Sequence, residues 1–158
     1  MYDLMRKLPI GIQTFEDIRR KNYLYVDKTA LVWRMANMGK PYFLSRPRRF
    51  GKSLLLSTFE SYFLGKKELF EGLAIEKMET EWKEYPVLHI DLNAEKYDKP
   101  EKLNEILSNH LTQWELKYGK GIDERTLSSR FGGVIRRACE QTGQQVVVLV
   151  GEYDKPLL

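Results

Sequence analysis

The chain of 158 residues contains a single cysteine and no long apolar run. An internal disulfide is therefore excluded, and Cys139 falls on the predicted apolar face of a helix, where we expect a small buried hydrophobe rather than a catalytic thiol. The longest apolar run, residues 146–150, is too short to span a bilayer, and the N-terminus lacks the apolar core of a signal peptide. These absences predict a protein of the reducing cytoplasm with no membrane span.

Repeats, low-complexity tracts and linkers long enough to separate domains are also absent. There are two histidines, His89 and His110, and they lack metal-ligand spacing, so we expect both to be structural. The chain length suits one domain or part of one. Trp33, Trp82 and Trp114 are not interleaved with a basic stripe, so we expect packing or surface roles for them rather than base stacking.

The charge of the chain is mildly positive, at +4, and most basic residues are scattered among acidic ones. The exception is one loop, in which four of seven residues are cationic: Arg46, Arg48, Arg49 and Lys52. Such a cluster predicts an anionic ligand more specifically than the net charge does.

Apolar periodicity, caps and breakers predict alternating strands and helices. Helices are expected over about residues 15–20, 29–38, 53–64, 100–118 and 124–141. Strands are expected at 41–45, 86–92 and 145–150, the last covered on both faces, with 23–26 as a strand or extended segment. Strands separated by helices predict an α/β fold with a parallel sheet.

The most informative segment is residues 42–53, where a short apolar strand leads into the basic loop and then into Gly51-Lys52-Ser53. This is the order of parts in a phosphate cradle: a loop of backbone N–H groups, a lysine for the β/γ-phosphates, a hydroxyl for Mg²⁺ and a helix N-terminus. The pattern usually begins with glycine six residues before the lysine, a place that Arg46 holds here.

A second group of residues follows directly after the last predicted strand: Gly151, Glu152, Tyr153 and Asp154. Carboxylates after a buried strand suit the metal and water positions of an ATPase site. Because ligands bind at the carboxyl ends of parallel strands, we expect Lys52 and Glu152 to lie at one shared edge. Asp91 ends its strand at the same expected edge.

Several blocks of the chain resemble the N-terminal domain of the bacterial AAA-ATPase-like family, in which a P-loop ATPase domain usually precedes a nuclease-like domain of the PD-(D/E)XK type. The blocks are Leu8-Pro9-Ile10-Gly11 with Phe15-Glu16, Tyr25-Val26-Asp27-Lys28-Thr29, Ser45-Arg46-Pro47-Arg48-Arg49-Phe50-Gly51-Lys52-Ser53, and Glu152-Tyr153-Asp154-Lys155-Pro156-Leu157. The family's phosphate loop normally begins Arg-Pro, which accounts for Arg46.

The resemblance implies ATP and Mg²⁺ as cofactors and a P-loop fold of three layers around a mostly parallel sheet. By this resemblance Lys52 would contact the β/γ-phosphates. The candidate nucleotide-binding residues are Arg48, Arg49, Phe50, Gly51, Lys52 and Ser53; for Arg48 and Arg49 the alternative is a solvated loop charge, and we expect at least one of the two to face the anion. Ser53 would ligate Mg²⁺, with Asp154 as either a second metal contact or a structural turn residue, and Glu152 would be the catalytic carboxylate. The resemblance does not assign Asp27, for which we expect a helix cap rather than a place in the site.

Two departures from the family pattern bear on hydrolysis. Gly151 stands where the family has an aspartate that holds Mg²⁺ through water. The chain also stops just after this acidic strand, so we expect residues 1–158 to be the N-terminal part of such a domain, truncated after the Walker B strand.

Three functions follow from these patterns. The first is an ATP-binding domain that switches an attached effector, with weak or no hydrolysis in this chain. The second is a nucleotide-binding or interaction module that does not hydrolyse ATP, and the third is nucleic-acid binding through the basic loop. A nuclease-like domain or nucleic acid would be a partner of the longer protein, and oligomerisation stays open.

Overall fold

The N-terminal part of the chain is built from helices. A computed structural model describes residues 5–45, 51–94, 96–153 and 156, and it divides after Glu84 into two compact units. In the first unit, α1 covers Phe15–Arg20, α2 covers Thr29–Asn37 and α3 covers Lys52–Phe63. Two 3-10 turns follow, at Lys67–Phe70 and Ala74–Lys77. The three helices predicted in this part of the sequence are therefore confirmed to within about one residue.

An aromatic core holds the first unit together. Phe15 and Phe70 are fully buried with ring centroids 4.8 Å apart, and Tyr25 meets Phe15 edge-on at 5.1 Å. The stripe predicted on α3 packs into this core, with Tyr62 buried and Phe59 half-buried. Aromatic rings contribute large buried areas, so Phe15 together with the fully buried Ile18 can stabilise a helix as short as α1.

The strand predicted at residues 41–45 does not form. These residues have no regular secondary structure, and Phe43 is 76% exposed. A strand needs a neighbouring strand for its backbone hydrogen bonds, and the described part of this unit contains none. Residues 23–26 form a segment outside regular secondary structure, the second of the two alternatives for this part of the sequence. The Leu24 N–H donates a hydrogen bond of 2.9 Å to the Lys7 carbonyl.

The second unit, from Tyr85 onward, contains a parallel strand pair connected by two helices. β1 covers Val87–Asp91, α4 covers Glu101–Tyr118, α5 covers Leu127–Thr142 and β2 covers Val147–Gly151. The register runs from Val87 opposite Val147 to Asp91 opposite Gly151. Leu88 packs with residues of both helices to form the core: Leu111, Tyr118, Val134 and Ala138.

Three expectations about the second unit are wrong in detail. Helix α5 begins at Leu127 rather than residue 124, because Thr126 and Ser129 form a reciprocal capping box. β2 is not covered on both faces, since Val148 and Val150 are 40% and 42% exposed. Cys139 is exposed, because it lies one residue beyond the buried Ala138 and so points away from the core.

The α/β class is confirmed, with five α-helices and a parallel two-stranded sheet among the described residues. The larger three-layer P-loop sheet stays a prediction. No described helix is long and apolar enough to pass through a lipid bilayer.

Candidate functional site

The N-terminus of α3 has the features of an anion site. Gly51 is its N-cap and takes a left-handed conformation with φ 79°, a region that glycine occupies without the strain other residues would carry. A Cβ on Gly51 would meet nothing among the described residues within 4 Å, so the conformation rather than the space requires glycine. The first turn of α3 contains no acidic residue. Backbone N–H groups and the helix dipole at such an end favour a negatively charged ligand.

Lys52 and Ser53 are the first two residues of α3 and both are half-buried. They are therefore located where a phosphate-binding lysine and a metal-binding hydroxyl would be. Arg46, Arg48, Arg49 and Phe50, together with Asp154, lie outside the described residues, and their roles stay predictions.

A second serine on α3 ties the helix to the N-terminal segment, a link that the sequence patterns did not reveal. Ser57 Oγ accepts a hydrogen bond from the backbone N–H of Phe15 at 2.9 Å and lies 3.3 Å from the Gln13 carbonyl oxygen. Because Ser57 is four residues after Ser53, the two hydroxyls share one face of the helix. The family block around Phe15 is thus attached one helical turn away from the candidate phosphate site.

The block Asp27-Lys28-Thr29 forms a structural clamp. Asp27 Oδ1 accepts from the Thr29 N–H at 2.9 Å and from the Thr29 hydroxyl at 2.6 Å, and Oδ2 accepts from the Ala74 N–H at 2.7 Å. The Thr29 hydroxyl in turn accepts from the Ile75 N–H at 3.1 Å. Burial opposes ionisation of Asp27, but these hydrogen bonds outweigh it and hold its pKa below 3.8. The expectation that Asp27 caps a helix is wrong in detail: Lys28 is the N-cap of α2 and has no side-chain capping bond, and Asp27 binds the first helical residue from one position earlier. Its partner 47 residues away is new.

Glu16 is the other acidic residue of the N-terminal blocks, and it also has a structural role. Its carboxylate pairs with Lys66 and with Arg20, each at 2.8 Å. The hydrogen bond from Lys66, followed by that from Arg20, lowers the pKa of Glu16.

In the second unit, the ends of the two strands bring Asp91 and Gly151 together. Asp91 is the register partner of Gly151, and pairing extends one residue further through the Leu92 N–H to Gly151 carbonyl bond of 3.1 Å. Asp91 Oδ1 accepts from the Asn93 N–H at 2.8 Å. A carboxylate thus lies on the strand next to the position where Gly151 lacks one.

Glu152 follows Gly151 in a conformation that few glutamates adopt. It is half-buried and its φ is 54°, in the left-handed region that costs a residue with a Cβ about 1–2 kcal/mol. Such strained residues concentrate at functional sites. Lys52 belongs to the first unit and Glu152 to the second, so their expected meeting at one edge stays a prediction.

Metal binding by protein side chains alone finds no support in residues 5–45, 51–94, 96–153 and 156, where no three His, Cys, Asp or Glu side chains form a group that could hold an ion. Mg²⁺ would suit the residues at α3 if phosphate oxygens supplied most of its ligands, since this ion usually takes few from protein.

His110 makes structural contacts in the second unit. Its ring nitrogen Nε2 lies 3.1 Å from the Asp91 carbonyl oxygen, and its ring stacks on that of Trp114 with the centroids 5.6 Å apart. These contacts support the structural role expected for His110.

An α/β chain with a left-handed glycine, a lysine and a serine at a helix N-terminus has features typical of nucleotide-phosphate binding proteins. Comparison with known proteins agrees: the chain belongs to the AAA-ATPase-like family, described as "Predicted AAA-ATPase", which matches residues 9–158.

A relative described as "Uncharacterized protein in vnfD 5'region", from Azotobacter chroococcum mcd 1, is 44% identical over 154 residues. The match covers 97% of this chain and 30% of that relative, so the chain spans about a third of the relative's length. No solved structure matches.

Proposed function

We propose that this chain is an ATP-binding P-loop domain in which the N-terminus of α3 holds the phosphates. The observation that carries the proposal is the start of α3, where a left-handed Gly51 precedes Lys52 and Ser53 and no acid opposes an anion. Membership of a predicted ATPase family supports the choice of ATP. Lys52 binds the β/γ-phosphates, and Ser53 ligates the Mg²⁺ that neutralises part of their charge. Arg48, Arg49 and Phe50 belong to the same loop.

Titration with Mg-ATP tests this assignment. Lys52→Ala removes a charge-assisted contact, so we expect ATP to bind at least about tenfold more weakly. Lys67→Ala is the matched control, since it removes the same charge from an exposed position in the same unit, and it should bind like the unchanged chain. Equal ATP affinity in all three proteins would show that α3 does not hold the phosphates.

Gly151 favours a form of this function without efficient hydrolysis. In our proposal Glu152 orients the attacking water, while the carboxylate that would help to hold the metal is missing beside it. Asp91, the register partner of Gly151, carries a carboxylate, but it lies on the neighbouring strand. We therefore expect this chain to bind ATP and to turn it over slowly or not at all.

Comparison of Gly151→Asp with Gly151→Asn separates the charge from the shape of the added side chain. The aspartate variant should hydrolyse ATP faster than both the unchanged chain and the asparagine variant. Fast hydrolysis with Gly151 in place would contradict the proposal of a weakly active site. Oligonucleotide binding that falls with salt and that ATP does not displace would instead support the nucleic-acid function of the basic loop.

We further propose that the domain acts as a switch for an effector in a longer protein. The Azotobacter relative is about three times the length of the matched segment, which leaves room for such an effector. By resemblance to the family, the effector would be a nuclease-like domain of the PD-(D/E)XK type.

A further inference from the structure

Trp82 has a strained conformation near the C-terminal end of the first unit. Its φ is 46°, in the left-handed region, where a bulky residue is a genuine outlier. Its ring packs against those of Phe70 and Tyr62, with centroids 5.2 and 5.9 Å apart. This packing buries the indole Nε1 atom, whose N–H finds no hydrogen-bond partner among the described residues. The backbone strain and the missing hydrogen bond both raise the free energy of the packed state of Trp82.

Gly65, two residues beyond α3, lies in close contact with the backbone of this segment. A Cβ built on Gly65 would be 3.1 Å from the Trp82 carbonyl oxygen and 3.3 Å from that of Lys83. These are backbone atoms, which cannot rotate away as the end of a side chain would. Because Gly65 also takes φ 70°, both the space and the conformation require glycine. The end of α3 and the backbone of residues 82–83 are therefore packed as closely as glycine allows.

Glu79 makes the second connection between this segment and α3. Its carboxylate accepts a hydrogen bond from the hydroxyl of Tyr62, a buried residue in the last turn of the helix. The same carboxylate accepts from the backbone N–H groups of the next two residues, at 2.9 and 3.0 Å. We call residues 79–83 the boundary latch, because the first unit ends one residue later, at Glu84.

The boundary latch and the candidate phosphate site lie at opposite ends of α3. The helix has 12 residues, which corresponds to a length of about 18 Å. Lys52 and Ser53 begin the helix, whereas Tyr62 and Gly65 contact the latch at its other end. A packed helix transmits a displacement along its length, because its own hydrogen bonds keep it rigid and its neighbours are close-packed. A movement of the N-terminus of α3 therefore reaches the latch.

We propose that the boundary latch is a conformational switch that opens when Mg-ATP binds at the start of α3, an inference that rests on the proposed function. The latch contacts are already close, so a displacement of α3 either strains the contact at Gly65 or lengthens the hydrogen bond to Glu79. Both changes favour an open state, in which Trp82 leaves the rings that bury it, relaxes its backbone and exposes its Nε1 atom to water.

The strain in the closed latch makes the switch sensitive to ATP. Because the closed state is strained, a modest difference in ATP affinity between the two states is enough to change their populations. Opening lengthens the chain segment that follows the first unit, and so passes the nucleotide state on to the rest of the protein.

Hydrogen–deuterium exchange over residues 79–85, with and without saturating Mg-ATP, tests the switch. The N–H groups of Thr80 and Glu81 report on it directly, because the Glu79 carboxylate protects them in the closed latch. We expect Mg-ATP to raise their exchange rate at least about fivefold, the lower end of typical coupling between two sites. Lys52→Ala, which should bind ATP more weakly, should need correspondingly more ATP for the same increase.

Tyr62→Phe separates the switch from a purely structural role. It removes the hydrogen bond to Glu79 and keeps the buried ring, so the unit should fold while the latch exchanges faster without nucleotide. Because coupling is reciprocal, a chain whose latch opens more easily should also bind Mg-ATP more tightly. Tyr23→Phe is the matched control, since it removes the hydroxyl of another tyrosine of the same unit, and it should change neither the exchange of the latch nor the ATP affinity.

The outcomes separate this inference from the proposed function. If a titration shows that ATP binds while Mg-ATP leaves the exchange of residues 79–85 unchanged or lowers it, the switch is overturned and the phosphate site stands. Weaker ATP binding by Tyr62→Phe would also overturn the switch, by assigning the latch a structural role. Failure of the unchanged chain to bind ATP would refute the proposed function, and the switch with it.

Discussion

Asp27 offers a direct way to separate a structural role from a role in the candidate site. Its carboxylate accepts three hydrogen bonds at 2.6–2.9 Å, two from Thr29 and one from Ala74. Thr29 is fully buried, and its hydroxyl also accepts from Ile75, so the clamp joins the start of α2 to the second 3-10 turn. Because the clamp is tertiary, its removal should lower the stability of the first unit.

We expect Asp27→Ala to lower the free energy of unfolding by about 2 kcal/mol, at roughly 1 kcal/mol for each hydrogen bond and less where water replaces it. For a chain of this size the melting temperature should then fall by about 4–8 °C. Asp27→Asn keeps one oxygen for Thr29 and loses the acceptor for Ala74, so its melting temperature should lie between those of the unchanged chain and Asp27→Ala. The fold lowers the pKa of Asp27, so the stability that this carboxylate contributes is present above pH 3.8 and is lost as the pH falls below that value.

The assay pairs thermal unfolding with ATP titration at a temperature where all variants are folded. Asp17→Asn is the control, since its exposed pair with Lys21 at 3.9 Å should contribute little. We expect the ATP affinity of Asp27→Ala to be unchanged. Equal melting temperatures of Asp27→Ala and Asp17→Asn would refute the clamp, and a loss of ATP affinity without a loss of stability would place Asp27 in the site.

Three further predictions concern packing and charge. Gly133→Ala should destabilise the second unit, because a Cβ there would collide with the Glu124 carboxyl group and displace it from Arg137. Gly132→Ala, where nothing described lies within 4 Å, is the control in the unfolding measurement. The hydrogen bond from Arg137 lowers the pKa of Glu124 from 4.5 to about 2. The stability from this pair should therefore be complete above pH 4.5 and be lost between pH 4.5 and 2. Melting temperatures measured against pH should show this acid dependence for the unchanged chain and not for Glu124→Gln. Ser57→Ala should lower stability by about 1 kcal/mol in denaturant unfolding, since the Phe15 N–H loses its acceptor, whereas Ser57→Thr should retain most of it.

The helices were predictable because their signals are local. α4 and α5 follow the predicted apolar period, and Gly119 and Gly143 are their C-caps. α5 begins three residues later than predicted because Thr126 forms a capping box with Ser129. The apolar period does not reveal this pairing. The N-terminus of α3 was predictable for the same reason, since glycine, lysine and serine act within one turn of the chain.

Contacts between distant residues were not predictable. The bond from Ala74 to Asp27 and the contact of Ser57 with Phe15 depend on how separate elements pack, and polar residues give no periodic signal for their partners. The exposure of Val148 was missed for a related reason: an apolar β-branched run indicates a strand, but only the neighbouring elements decide which of its faces is covered.

The sequence by itself determined the α/β class, the positions of five helices and two strands, and the glycine, lysine and serine at the start of α3, because hydrophobic period and turn chemistry act over a few residues. Only the tertiary structure decided the pairing of Asp91 with Gly151, the clamp at Asp27 and the link from Ser57 to the N-terminal segment. Those contacts join residues far apart in the chain, and the free energy of packing whole elements, rather than any local preference, selects them.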